Sequence, residues 1–120
     1  MKAFRGVDDK IRLFRPDMNF KRMQTSAARC SFAPFDVQEL LKCLKKLIEV
    51  DSAWVPDMAD FKSLYIRPTM IGIEPTLGVA SAKHSLMYII LSPVAGYFAS
   101  GIKPVSLIAN PEYVRAWPGG

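Results

Sequence analysis

The sequence predicts an α+β fold, a two-layer sandwich in which a mostly antiparallel sheet carries helices on one face. Three observations predict it. Strand-like segments come in runs and helix-like segments come in runs, with none of the regular alternation that builds parallel sheets. Clusters of Gly, Pro, Asp and Asn punctuate the segments, and no repeat or low-complexity tract interrupts them. Half of the 120 residues are apolar and 22% are charged, which suits one small core.

The elements follow in order. Residues 2–5 and 10–14 read as short strands, and Gly6-Val7-Asp8-Asp9 between them has hairpin-turn chemistry. Pro16-Asp17-Met18-Asn19 breaks the chain, and Asp17 or Asn19 is placed to cap a helix. That helix aligns Phe20, Met23 and Ala27 on one side and puts Arg22 in its first turn. The second helix is the clearest. Asp36 caps it, Glu39 completes an acidic form of the capping box, and Phe35 and Leu40 form a hydrophobic staple. Val37, Leu40, Leu41, Leu44, Leu47 and Ile48 recur at helical spacing, while Lys42, Lys45, Lys46 and Glu49 make a solvated face.

Residues 51–60 read as a loop. Strands resume at 63–73 and 86–92, separated by the turn Glu74-Pro75-Thr76-Leu77-Gly78. Small residues from Ser92 to Gly101 mark an exposed connection, and a last strand is expected at 105–109. The expected organisation is therefore a small domain over 1–92, an interdomain loop over 93–104, and the first strand of a truncated second domain over 105–120.

Composition removes several classes of function. The net charge of +5 favours anionic partners, and eleven of the sixteen Lys and Arg fall by Lys46. No run of five basic residues and no Gly-Arg repeat supports a nucleic-acid tail. The apolar run 86–91 is far short of the ~20 residues a membrane span needs. The first six residues turn polar too soon for a signal peptide. His84 is the single histidine, so a histidine metal cluster or a Ser-His-Asp triad is unsupported. Neither glycine-rich nucleotide loop is present. Cys30 and Cys43 lack C-x-x-C spacing and read as small core side chains, reduced in an intracellular compartment.

What remains is arginine in awkward places. In S-L-Y-I-R-P-T-M-I-G, Leu64 and Ile66 share one face of a strand and Tyr65 and Arg67 the other. A charge within a sheet needs a partner, which a carboxylate ligand or a structural ion pair would supply equally well. Arg22 at a helix start would be reconciled by a bound phosphate, or it snorkels into solvent. Arg115 has no physical argument of its own.

The chain resembles the branched-chain amino acid aminotransferases of animal type, fold-type IV enzymes that use pyridoxal 5'-phosphate. The stretches that carry the resemblance are M-K-A-F-R-G, I-R-L-F-R-P-D-M-N-F-K-R-M, S-L-Y-I-R-P-T-M-I-G, E-P-T-L-G-V, L-S-P-V-A-G-Y-F, P-V-S-L-I-A-N-P and V-R-A-W, in order along the chain. The resemblance implies that Arg22 and Arg115 hold the cofactor phosphate and that Tyr65 and Arg67 bind the substrate carboxylate. It also implies that Val79 lines the side-chain pocket of the neighbouring subunit and that Tyr97 sits on a loop closing over substrate.

The implied reaction passes the amino group of leucine, isoleucine or valine to 2-oxoglutarate, in a cytoplasmic or mitochondrial homodimer. The Schiff-base lysine of the family falls beyond Gly120, so no catalytic residue is assigned and the isolated chain is expected to be inactive. Alternatives are a non-catalytic subunit that pairs with the full-length enzyme and modulates it, and a fragment of a D-amino acid aminotransferase-like enzyme. No metal, nucleic acid or membrane partner is expected.

Overall fold

The computed structural model describes residues 1–58, 61–96, 98, 101 and 103–116. Its elements are β1 (Lys2–Arg5), β2 (Ile11–Leu13), α1 (Pro16–Arg29), α2 (Val37–Val50), a 3-10 turn at Ser52–Trp54, β3 (Ser63–Gly72) and β4 (Ser85–Val94). The strands form one antiparallel sheet in the order β2-β1-β3-β4. Ala3, Leu64 and Ile66 from the sheet are fully buried against Phe20 of α1 and Val37, Leu44 and Ile48 of α2. Phe4, Tyr88 and Ile90 lie exposed on the other face. This is the expected α+β two-layer arrangement.

Local chemistry explains most boundaries. In the first hairpin Gly6 and Lys10 pair through Gly6 N–H, and Asp9 closes the turn at φ 61°. Asp8 takes both ends of the Arg12 guanidinium at 2.7 Å, which holds its carboxyl at a pKa of about 2. At α2, Asp36 Oδ1 accepts from Gln38 N–H at 2.7 Å and Glu39 N–H at 3.0 Å. Only this half of the capping box forms, because Glu39 turns instead to Lys42 Nζ at 2.7 Å.

Four expectations are corrected. Helix α1 begins at Pro16, not after a side-chain cap at Asp17 or Asn19. Proline suits the first helical position because its missing N–H would be unsatisfied there anyway, and Arg15 leads in at φ 44°. Arg22 therefore lies in the second turn, where the helix dipole no longer argues for an anion. Cys30 and Cys43 are exposed, not in the core. The segment 105–109 forms no strand, and Leu107 and Ile108 are almost wholly exposed. Its apolar alternation has no ladder among the described residues to complete, and a strand needs a partner for its backbone.

Strand β4 also runs further than expected, through Pro93 to Val94. Proline is tolerated there because β4 is an edge strand that needs no N–H on its outer side. Among the described residues no helix is long and apolar enough to cross a membrane.

Candidate anion-binding cleft

Met1 and Ile66 exchange backbone hydrogen bonds of 3.0 and 2.9 Å alongside the β1–β3 ladder. From Arg67 to Gly72, β3 pairs with β4 alone. Pro68, which cannot donate to a ladder, lies in this stretch. A cleft of about 360 Å³ lies along it, between β3 and α1.

Asn19, Arg22 and Ser26 line the cleft from α1, and Tyr65 and Arg67 line it from β3. The two arginines that sequence singled out thus share one hollow. Asn19 Oδ1 accepts from Arg22 Nη2 at 3.1 Å, and Asn19 Nδ2 donates to the Arg15 carbonyl at 3.3 Å. Arg67 donates to Tyr65 Oη at 3.3 Å, and its guanidinium carbon lies 5.1 Å from the centroid of that ring. The hydroxyl contact raises the Arg67 pKa above its ordinary value.

The expected cost of a charge inside the sheet does not arise. Arg67 is exposed on the face without helices, and its protein partner is Tyr65. The alternation itself holds: Leu64 and Ile66 are fully buried and Tyr65 and Arg67 point the other way.

The electrostatics of the cleft are one-sided. No aspartate or glutamate is among the described residues that line it. Positive charge thus accumulates without a counter-charge, a condition that an anion relieves.

A second hollow of about 490 Å³ lies on the helix-free face, where Tyr65 and Arg67 meet Lys2, Ile90, Ser92 and Val94. Tyr65 and Arg67 therefore line both the cleft that holds Arg22 and a second space walled by Ile90 and Val94. Register places them there: Tyr65 opposes Ser92 and Arg67 opposes Ile90 across the β3–β4 ladder.

The other candidate residues do not join this group. Val79 is fully exposed on the loop between β3 and β4, and Arg115 is exposed outside both hollows. Tyr97 lies outside the described residues. Two polar residues were missed. Asn19 was read only as a possible cap, although its spacing of three from Arg22 on a helix was a usable signal. Glu74 was read only as turn chemistry. In the structure its Oε1 accepts from Lys83 N–H at 2.7 Å and His84 N–H at 2.8 Å, and lies 3.1 Å from His84 Nδ1.

Comparison with known proteins agrees with the resemblance. The chain is 58% identical, over its full length, to a cytosolic branched-chain-amino-acid aminotransferase of Mus musculus. The whole chain matches the branched-chain-amino-acid aminotransferases. It is 52% identical to the mitochondrial branched-chain-amino-acid aminotransferase of Mus musculus and 48% identical to a cytosolic one of Caenorhabditis elegans. In each case all of this chain is covered, but only 31%, 30% and 29% of the respective aminotransferase. The chain therefore spans about a third or less of the length of these relatives. No protein-family profile matches it.

Proposed function

We propose that this chain forms part of a pyridoxal-phosphate-dependent transaminase acting on leucine, isoleucine or valine with 2-oxoglutarate. The observation that carries the reading is the hollow shared by Arg22 and Arg67, with no carboxylate to neutralise them. Arginine is suited to both phosphate and carboxylate through its fork of donors.

The residues present fit the cofactor's anionic end. Arg22, steadied by Asn19, would hold the phosphate, with Ser26 one helical turn further along the same wall. Arg115 joins them in this proposal on resemblance alone. When bound, pyridoxal phosphate supplies the electron sink that lets the substrate's α-hydrogen leave. Tyr65 and Arg67 would orient the substrate carboxylate, and the apolar walls at Ile90 and Val94 would receive an aliphatic side chain. Val79 and Tyr97 are proposed to complete the substrate pocket, Val79 from the second subunit of a homodimer. The chain divides, in this proposal, at a connection over 93–104. Cytosolic and mitochondrial locations are both compatible, as the relatives' names include each.

No lysine is among the described residues lining the Arg22 cleft, and covalent retention of the cofactor needs one. The 120-residue polypeptide alone is accordingly expected to show no turnover. The test uses the complete protein that contains this sequence, assayed with leucine and 2-oxoglutarate. Arg67→Gln is expected to raise KM for both substrates by roughly tenfold or more, the scale for losing a charged hydrogen bond. Arg22→Gln is expected to release pyridoxal phosphate on dialysis. Turnover by the isolated 120-residue chain above the background of free cofactor, or an unchanged KM in Arg67→Gln, would refute the proposal.

A further inference from the structure

The loop over residues 73–84 joins β3 to β4 and presents Leu77 and Val79 wholly exposed. Among the described residues, both side chains are free of contacts that would hide them from a second surface. The loop is nevertheless tied down at its base. Ile73 N–H donates to the His84 carbonyl at 3.2 Å, extending the ladder past Gly72 and Ser85. Glu74 Oε1 then gathers Lys83 N–H, His84 N–H and the His84 ring nitrogen, all within 3.1 Å. These contacts lower the Glu74 pKa, chiefly through the His84 backbone and side chain.

The outgoing arm is shaped as firmly. Thr76 N–H donates to the Glu74 carbonyl at 2.8 Å, and Gly78 N–H donates to Thr76 Oγ1 at 3.1 Å. Val79 follows this turn directly. The returning arm packs closely on β3: a Cβ built on Gly72 would lie 2.7 Å from Ala82 Cβ. One carboxylate and one missing side chain therefore fix the direction in which the tip projects.

We propose that Glu74 is the positioning residue of this loop and sets substrate selectivity by aiming Val79 into the side-chain pocket. The inference rests on the reading of Val79 as a pocket residue. Glu74 touches neither substrate nor cofactor. It acts by clamping the two arms, so that the tip meets an aliphatic side chain instead of sweeping through solvent.

The experiment compares Glu74→Ala, Glu74→Gln and Gly72→Ala with the parent in the complete protein. The readouts are kcat/KM for leucine and for alanine, and amide hydrogen exchange over residues 75–84 without substrate. Apolar pocket contacts discriminate by about 10–200-fold per methylene-scale difference, so a misaimed tip should lower the leucine-to-alanine ratio roughly tenfold. Glu74→Gln keeps an acceptor oxygen and should stay within about threefold of the parent. Gly72→Ala pushes the same arm from the opposite side and should lower the ratio as Glu74→Ala does. Faster exchange in the loop with a lower ratio supports the proposal. A lower melting temperature with an unchanged ratio overturns it, as does unchanged loop exchange in Glu74→Ala. If Glu74→Ala does not fold, the ratio and loop exchange in Glu74→Asp, which draws the carboxylate back by one methylene, decide in the same way. Absence of transaminase activity in the parent would instead sink the underlying function, while loop exchange would still decide the clamp.

Discussion

Ile66→Ala tests the alternation on which the cleft depends. Ile66 is fully buried in the core cluster, between Tyr65 and Arg67 on β3. The substitution removes three carbon groups. At about 0.8 kcal/mol for each, transfer alone costs about 2.4 kcal/mol. The cavity left behind adds up to about 2 kcal/mol more where Phe20, Leu44 and Leu64 cannot close in. The expected loss is about 2.5–4.5 kcal/mol, a large part of a small domain's stability. Urea unfolding followed by tryptophan fluorescence measures it, and with m near 2 kcal/mol/M the midpoint should fall by about 1–2 M. Arg67→Ala is the control. One residue along the strand but exposed on the other face, it should leave the midpoint almost unchanged while weakening anion binding. A loss below about 1 kcal/mol in Ile66→Ala, or equal losses in both variants, would refute the assignment of faces.

Two further outcomes follow from single contacts. Asp8 has a folded-state pKa of about 2, below the ordinary carboxylate value, because Arg12 holds both its oxygens. Its contribution to stability is therefore complete above about pH 4 and is lost as the pH falls through about 2. Asp8→Asn should flatten that part of the acid stability curve and leave the neutral region little changed, as pH-dependent unfolding will show. Cys30 and Cys43 are both exposed, so a thiol reagent should titrate two groups rapidly in the folded protein. Reaction only after denaturant would return them to the core.

The second helix was legible because its information is local. Asp36, the stripe from Val37 to Ile48 and the lysine face all lie within one continuous run, and each acts on neighbours a few residues away. The hairpin turn and the alternation of Leu64, Tyr65, Ile66 and Arg67 were legible for the same reason. The start of α1 was not, since a proline followed by Asp and Asn fits either a break before a helix or its first turn. The exposure of Cys43 on α2 and of Cys30 just past α1 is not legible in the sequence, because a single apolar-leaning residue does not declare its face.

By itself, then, the sequence determined the class of the fold, the pairing of helix periodicity with strand alternation, and the excess of cations that makes an anion welcome. The match to branched-chain-amino-acid aminotransferases was equally a property of residue order. Only the tertiary structure decided that Arg22 and Arg67 line one hollow, because that depends on how α1 lies against β3. It alone decided that Arg67 rests on Tyr65 and that Glu74 ties Lys83 and His84 into a loop base. Local propensities act over a turn or a strand, whereas a charge meets its partner only after the chain has brought distant segments together.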